Sequence, residues 1–202
     1  MKLYMKPGAC SLASHIALRE VGAAFDLDQV DTDKKITASG SDYRRVNAKG
    51  YVPALELDSG EVLTEGASIL QYIADTNPGS GLAPAAGSVE RARLQEHLNY
   101  TASELHKAFN PFFRAGVSDA DKQSAGRAVA QKFDYVETLL ADGRTHLLGS
   151  AFTVADAYLF VVSNWANFVG IDLGNWPKLK AFVERVAARP TTQAALRAEG
   201  LA

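Results

Sequence analysis

The stretch "KLYMKPGACSLASHIALREVGAAFDLDQV" (residues 2–30) decides the fold of the first part of the chain. Residues 2–5 are a short apolar run that predicts a strand, and a Pro-Gly pair ends it. Apolar residues then recur at helical spacing over 11–21, and 25–30 alternate between apolar and polar residues. A strand, a helix and a second strand in this order predict a βαβ unit with parallel strands.

The next fifty residues complete a small α/β domain. Residues 52–63 contain two short alternating runs around an Asp-Ser-Gly turn, which is typical of a hairpin. Residues 64–76 then place apolar side chains on one helical face. We therefore predict a βαβ-ββα domain over residues 1–80.

Residues 77–88 are rich in Pro, Gly, Ser and Ala and carry no charge, which indicates a linker. Beyond them strand signals vanish, and we predict an all-helical domain over 88–202. Helical periodicity occurs in four stretches: 89–113, 121–141, 154–169 and 177–188. A short tail helix closes the chain, and Thr153 and Asp156 predict a capping box before the third stretch.

Composition excludes several functional classes. The net charge of −2 gives no electrostatic case for nucleic-acid binding, and no apolar run approaches the length of a membrane span. One cysteine cannot form an internal disulfide or a two-cysteine redox pair. No His, Cys, Asp or Glu spacing indicates a metal site. With no signal peptide evident at the N-terminus, we expect a soluble cytoplasmic protein without a metal.

That single cysteine, Cys10, lies where a helix is predicted to begin. The unpaired N–H groups and the dipole of a helix N-terminus favour a thiolate and lower the pKa of a thiol there. The same place equally suits a small buried apolar side chain. Position alone leaves both interpretations open.

Three other stretches carry polar or backbone groups that suit a ligand. Val52-Pro53 is either the ordinary start of a strand or a cis peptide that exposes the Val52 backbone to an extended peptide. At the next helix start, Glu65 suits a ligand ammonium and the backbone suits a carboxylate, although an acidic residue is favourable there by itself. In residues 98–109 a polar stripe that includes His106 faces either water or a site.

Taken together, these motifs resemble the soluble glutathione S-transferases, and most closely their bacterial Beta class. The resemblance spans essentially the whole chain and rests on five stretches: "KLYMKPGACSLASHIALRE", "NAKGYVPALEL" with its D-G turn, "LTEGASILQYIAD", "LNYTASELHK" and "FTVADAYLF". It implies a thioredoxin-like N-terminal domain that binds glutathione. It also implies an all-helical domain with the electrophile pocket and the contacts of a homodimer.

The resemblance also implies the residues of the site. Cys10 and His106 are the expected catalytic residues. The expected glutathione contacts are Cys10, Lys35, Val52, a cis Pro53, Glu65, Gly66, Asn99, Ser103, Glu104 and His106. Some contacts from the helical domain are expected to come from the neighbouring subunit. The expected electrophile pocket contains Lys107, Phe109, Phe113 and Trp165, although such apolar side chains also suit a core.

Two positions depart from the family pattern. Many soluble transferases have a serine where this chain has Gly66, so only a backbone contact survives there. Bacterial relatives commonly have a tyrosine at the position of Met5. The tyrosine or serine that activates glutathione in other classes has no clear match, because Tyr4 is expected within a strand; Ser11 is a candidate substitute.

The leading functional hypothesis is transfer of the glutathione thiolate to a small hydrophobic electrophile, often aromatic or halogenated, in detoxification. In the second hypothesis Cys10 itself reacts, either as a glutathione-dependent thiol-disulfide oxidoreductase or as a reductive dehalogenase. The third is a non-catalytic ligand carrier. Glutathione is a cosubstrate in the first hypothesis, and neither nucleic acid nor a membrane is an expected partner.

Overall fold

A computed structural model describes all 202 residues and divides the chain into two compact units. The first, here called the N-terminal domain, contains residues 1–83 and 188–202. The second, the helical domain, contains residues 84–187. The sequence placed 188–202 with the helical domain, whereas the structure places them with the N-terminal domain.

The N-terminal domain is built on one mixed sheet of five strands. The strands are β1 (Lys2–Met5), β2 (Asp26–Asp31), β3 (Ile36–Thr37), β4 (Ala54–Glu56) and β5 (Val62–Thr64). They lie in the order β3-β2-β1-β4-β5. β1 pairs with β2 in parallel, as the βαβ prediction requires, and β4 and β5 form the predicted antiparallel hairpin. Sequence reasoning missed β3, which has two residues and therefore shows no alternation.

Two helices cover this sheet: α1 (Ser11–Glu20) and α2 (Gly66–Asp75). Their apolar faces and the central strands form a core whose fully buried members include Leu3, Leu12, Ile16, Leu55 and Ile69. α1 therefore starts directly behind the turn that follows the central strand β1. That arrangement holds the first residue of the helix, and the cysteine before it, at the carboxyl end of β1.

The helical domain contains α3 (Val89–Tyr100), α4 (His106–Ala108), α5 (Asp119–Leu139), α6 (Val154–Asn164), α7 (Ala166–Val169) and α8 (Pro177–Ala187). The prediction of one regular helix over 89–113 is wrong in detail. A π-helical turn occupies Thr101–Leu105, and a 3-10 turn occupies Asn110–Phe113. The wider π turn rotates the buried face, so Thr101 is buried and Ala102 only partly so.

The capping box predicted before α6 is present. The Thr153 backbone N–H and hydroxyl donate to one Asp156 carboxylate oxygen at 2.8 and 2.7 Å, and the Leu147 N–H donates to the other at 2.7 Å. Burial raises the pKa of Asp156, while these hydrogen bonds act in the opposite direction. The helix that follows is buried on every side over most of its length.

A last helix, α9 (Pro190–Ala198), packs on α1. At its start, Arg189 donates two hydrogen bonds of 2.9 Å to the carboxylate of Glu20, and the Thr191 hydroxyl donates to the same carboxylate. Glu20 ends α1, so this contact joins the two helices and explains why 188–202 belong to the N-terminal domain. No helix in the protein is both long enough and apolar enough to cross a membrane.

Candidate functional site

Cys10 lies at the N-cap of α1, as the sequence predicts. The turn before it is closed by a hydrogen bond of 3.0 Å from the Ala9 N–H to the Lys6 carbonyl. The Cys10 side chain is half-buried, and its thiol donates to the Val52 carbonyl oxygen at 3.3 Å. The sulfur is therefore held between a helix N-terminus and the Val52 loop, and is not a member of the buried core.

The hydroxyls nearest to this turn in sequence are already engaged. The Ser11 hydroxyl accepts from the Lys6 N–H at 3.2 Å and donates to the Lys6 carbonyl at 3.3 Å, and its side chain is fully buried. The hypothesis that Ser11 replaces the activating hydroxyl is therefore wrong. Tyr4 lies within β1 as expected, and it donates to Glu56 at 2.7 Å. Burial and the Glu56 carboxylate raise the pKa of Tyr4, which disfavours its ionisation.

The Val52-Pro53 peptide is cis, as the resemblance implies. The residue before it, Tyr51, offers its carbonyl oxygen to the Tyr43 hydroxyl at 2.8 Å and to the Asn47 amide at 2.7 Å. Both donors are buried, Asn47 with 4% of its surface exposed. Sequence reasoning missed these two residues, because they lie in a polar stretch without periodicity. They fix the backbone that leads into the cis peptide.

Glu65 is the N-cap of α2, with φ 70° and ψ 115°, a backbone conformation that is strained for a residue other than glycine. Its carboxylate forms an ion pair with Lys49, whose ammonium also donates to the Thr64 hydroxyl at 3.0 Å. Lys49 was not predicted, and no local pattern indicates it. Gly66 follows, and a Cβ there would lie 3.8 Å from the Pro53 ring, an ordinary packing distance.

Lys35 contacts the backbone just before the cis peptide, at Gly50. Its ammonium donates to the Gly50 carbonyl at 3.0 Å and lies 5.8 Å from the centre of the Tyr51 ring. Gly50 has a φ of 67°, and a Cβ at that position would lie 3.1 Å from the Lys35 side chain. The positive φ favours a glycine at position 50, and a side chain there would crowd the lysine.

These contacts bring the predicted residues Cys10, Lys35 and Gly66 to one loop, residues 50–53, here called the cis-proline loop. Lys35 meets this loop at Gly50, and Cys10 meets it at Val52. Gly66, next to Glu65, approaches it at Pro53. A cation, a thiol and backbone groups thus lie at this short loop, and the Glu65 carboxylate lies one residue before Gly66.

Behind Cys10, a buried network ties its turn to the C-terminal residues. The Gly8 N–H donates to a carboxylate oxygen of Glu199 at 2.9 Å, and the other oxygen lies 2.8 Å from His15 Nδ1. Arg19 donates from Nε to His15 Nε2 at 2.9 Å. Sequence reasoning missed this network, because its members lie far apart along the chain.

In the helical domain, His106 lies within an aromatic cluster. A hydrogen bond of 2.9 Å joins its Nδ1 to the Tyr158 hydroxyl, and its ring packs edge-on against Trp165 at 4.8 Å between ring centres. Phe109 and Phe113 also pack against Trp165, at 5.7 and 5.3 Å. Burial, aided by the adjacent Lys107 ammonium, lowers the pKa of His106 to about 4, so the ring is neutral at pH 7.

The predicted electrophile residues differ in their surroundings. Phe109 and Trp165 are buried, Phe113 is 56% exposed, and Lys107 is exposed outside the cluster. Three of the four therefore share the Trp165 cluster with His106.

The remaining predicted contacts lie on the exposed side of the same helical stretch. Asn99, Ser103 and Glu104 are exposed. The Ser103 hydroxyl donates to the Asn99 carbonyl at 2.9 Å, and Lys132 donates to the Glu104 carboxylate at 2.6 Å. The π turn lies between Asn99 and His106, so the polar stripe is not a single straight line. No group of three or more His, Cys, Asp or Glu side chains in the protein is placed to hold a metal ion.

Comparisons with known proteins identify the family of this chain. The family model of the glutathione S-transferase N-terminal domain matches residues 8–76, and that of the C-terminal domain matches residues 100–190. Glutathione S-transferase GstA of Escherichia coli O157:H7 is 48% identical over 201 residues, which covers all of both chains.

Solved structures agree with this assignment. A sphingomonad glutathione S-transferase complexed with glutathione is 52% identical with a TM-score of 0.95. A bacterial Beta class enzyme from Sphingomonas chungbukensis is 51% identical with a TM-score of 0.97. Each alignment covers the whole of both chains. The chain thus belongs to the glutathione S-transferase family and is a transferase, with the thioredoxin-like N-terminal domain and helical C-terminal domain of that family.

Proposed function

We propose that the protein conjugates the glutathione thiolate to small hydrophobic electrophiles, often aromatic or halogenated. One observation carries this proposal: the cis-proline loop is surrounded by groups that match the chemistry of the tripeptide. The relative solved with glutathione, at 52% identity, supports the choice of ligand.

The proposed binding mode assigns one part of glutathione to each group. The Lys35 ammonium suits the carboxylate at the glycine end. The Val52 backbone suits strand-like pairing with the cysteinyl unit. The Glu65 carboxylate suits the ammonium of the γ-glutamyl end, and the Gly66 N–H at the start of α2 suits its carboxylate. Domain roles follow: the N-terminal domain binds glutathione, and the helical domain supplies the electrophile pocket.

Stabilising the glutathione thiolate is the main chemical task, because a thiol is a weak nucleophile at neutral pH. The Cys10 thiol, which donates to the Val52 carbonyl in this structure, would turn to donate to the glutathione sulfur, and the helix N-terminus beside it suits an anionic sulfur. In the reaction the thiol proton leaves to solvent and the sulfur forms a bond to the electrophilic carbon. With a halogenated substrate, the halide departs with the bonding electron pair.

Other parts of the proposal rest on the resemblance. They are the glutathione contacts of Asn99, Ser103, Glu104 and His106, the homodimer, the cytoplasmic location and the role in detoxification. The Trp165 cluster, with Phe109 and Phe113, offers the apolar aromatic surface that an electrophile of this class needs. Lys107 follows His106, which belongs to this cluster, in the sequence. Sedimentation equilibrium tests the dimer.

A second candidate function is glutathione-dependent thiol chemistry by Cys10 itself. The half-buried sulfur at the start of α1 favours it over a purely structural cysteine. The Cys10 thiolate would attack a glutathione mixed disulfide, forming a new disulfide with glutathione and releasing the substrate thiol. A second glutathione would then release oxidised glutathione and regenerate Cys10. Reductive dehalogenation of a glutathione conjugate by the same thiol belongs to this candidate.

Replacement of Cys10 by alanine separates the two functions. If the Cys10 thiol donates to the glutathione thiolate, we expect Cys10→Ala to lower conjugation of 1-chloro-2,4-dinitrobenzene. If Cys10 is a thiol reductant instead, we expect Cys10→Ala to retain that conjugation and to lose reduction of a glutathione mixed disulfide. Cys10→Ser keeps a hydroxyl donor and shows whether donation, as opposed to nucleophilicity, matters. If the wild-type protein catalyses neither reaction and is not retained on immobilised glutathione, both candidates fail and ligand carriage of another kind remains.

A further inference from the structure

His106 and Tyr158 form a pair whose hydrogen-bond direction decides what His106 can do. The Tyr158 hydroxyl lies 2.9 Å from His106 Nδ1. Tyr158 belongs to α6, and only 5% of its surface is exposed. A neutral imidazole carries one N–H and one bare nitrogen, so the partner of Nδ1 determines the role of Nε2.

We propose that Tyr158 is a positioning residue that donates its hydroxyl hydrogen to Nδ1 and thereby fixes His106 as the Nε2–H tautomer. Of the two possible donors, the phenol is the stronger acid. Of the two possible acceptors, the bare imidazole nitrogen is the stronger base. An O–H···N bond therefore joins the better donor to the better acceptor, and the reverse N–H···O bond joins the weaker of each.

The surroundings keep both partners in place. The His106 ring meets the Trp165 ring at 76° and the Tyr158 ring at 90°, with ring centres 4.8 and 6.2 Å apart. These edge contacts hold the imidazole plane on two sides. Burial lowers the pKa of His106 to about 4, so a neutral ring with a single tautomer is the form to consider at pH 7.

The consequence for catalysis rests on the proposed function. A His106 that carries its hydrogen on Nε2 is a hydrogen-bond donor on the side away from Tyr158. It suits a thiolate or a developing negative charge, and it cannot accept a proton on that nitrogen. His106 therefore acts as an N–H donor and not as a general base, and Tyr158 acts only through it.

Nuclear magnetic resonance of nitrogen-15-labelled histidine tests the tautomer directly. The signals of His106 are assigned by their loss in His106→Gln. We expect a protonated Nε2 and a bare Nδ1 in the wild-type protein, unchanged between pH 6 and 8. In Tyr158→Phe, which keeps the ring but removes the hydroxyl, we expect the tautomers to mix. Tyr135→Phe removes the hydroxyl of a tyrosine in the same domain whose ring packs on Tyr100, and is expected to leave the wild-type spectrum unchanged. A hydrogen on Nδ1, or an unchanged tautomer in Tyr158→Phe, overturns the proposal.

Kinetics test the consequence. The loss of one orienting hydrogen bond in Tyr158→Phe is expected to lower kcat by roughly 3- to 10-fold with little change in KM for glutathione. The amide nitrogen of glutamine reaches the position of Nε2, whereas that of asparagine reaches Nδ1. His106→Gln is therefore expected to retain more activity than His106→Asn, and the opposite order contradicts donation from Nε2. If no conjugation is detected at all, the proposed function fails. The nitrogen-15 NMR spectra still decide the tautomer of His106.

Discussion

Glu199 and His15 form a hydrogen bond of 2.8 Å, and the side chains of both are fully buried. Arg19 Nε can only donate, so the His15 Nε2 that faces it is an acceptor and the hydrogen of this imidazole is on Nδ1. His15 therefore donates to Glu199. The other Glu199 oxygen receives the Gly8 N–H from the turn that carries Cys10. One buried carboxylate thus accepts from two donors, of which His15 is buried and the Gly8 N–H is partly buried.

Replacement of Glu199 by glutamine tests the strength of this arrangement. An amide of the same size offers only one acceptor oxygen, so either the Gly8 N–H or the His15 Nδ1–H faces an NH2 group. We expect Glu199→Gln to lower the free energy of unfolding by about 1–3 kcal/mol, the cost of a buried donor without a partner. Urea unfolding measures it. Glu61→Gln, an exposed site in the same domain, is the control for charge. Equal midpoints for the two variants would contradict the assigned bonds.

The stability of the protein is expected to depend on pH through His106. Its pKa is about 4 in the folded chain and near 6.5 when unfolded, so between these values the unfolded state binds the extra proton. The contribution of a neutral His106 to the free energy of unfolding is therefore fully present above about pH 6.5 and is lost as the pH falls toward 4. The shift corresponds to about 3 kcal/mol at most.

Urea unfolding at pH 7, 5.5 and 4.5 measures this loss in the wild-type protein and in His106→Gln. The other titrating groups are common to both proteins, so the difference between the two curves isolates His106. We expect the wild-type protein to lose more stability on acidification. Parallel curves would show that His106 is not held neutral by burial.

Local signals were sufficient for much of the fold. The βαβ unit, the hairpin and the capping box at Thr153 depend on residues close together in sequence, and each was predicted. The π turn at Thr101–Leu105 was not, because it depends on packing around the helix. The place of α9 also needed the fold, since the contact of Arg189 with Glu20 joins distant parts of the chain.

The candidate site also contains some residues that the sequence predicted and others that it did not. Cys10 was placed at a helix start by its neighbours in sequence, and the resemblance supplied the cis peptide at Pro53. Tyr43, Asn47 and Lys49 were missed. Tyr43 and Asn47 donate to a backbone carbonyl a few residues along the chain, and Lys49 pairs with a carboxylate after the hairpin. Hydrogen bonds of this kind leave no periodic pattern in a sequence.

Gly50 is expected to control the position of Lys35. In Gly50→Ala the new methyl group lies 3.1 Å from the lysine side chain and displaces it. Under the proposed binding mode, loss of the ammonium contact weakens glutathione binding by roughly 3- to 10-fold, as measured by calorimetry. Gly60→Ala is the matched control, since Gly60 also has a positive φ, 84°, but no neighbour within 4 Å of an added Cβ. Equal loss in the two variants would assign the effect to backbone strain and not to Lys35.

Gly66 offers the opposite experiment, a gain of binding. An added Cβ lies 3.8 Å from the Pro53 ring, and the φ of Gly66 is not positive, so a serine fits without strain. Its hydroxyl would stand at the start of α2, where the carboxylate of the γ-glutamyl unit is proposed to bind. We expect Gly66→Ser to tighten glutathione binding by roughly 2- to 10-fold, the worth of one hydrogen bond. Gly66→Ala is the control, because it makes the same change from glycine without the hydroxyl. If alanine and serine change the dissociation constant equally, the hydroxyl makes no contact and the γ-glutamyl unit lies elsewhere.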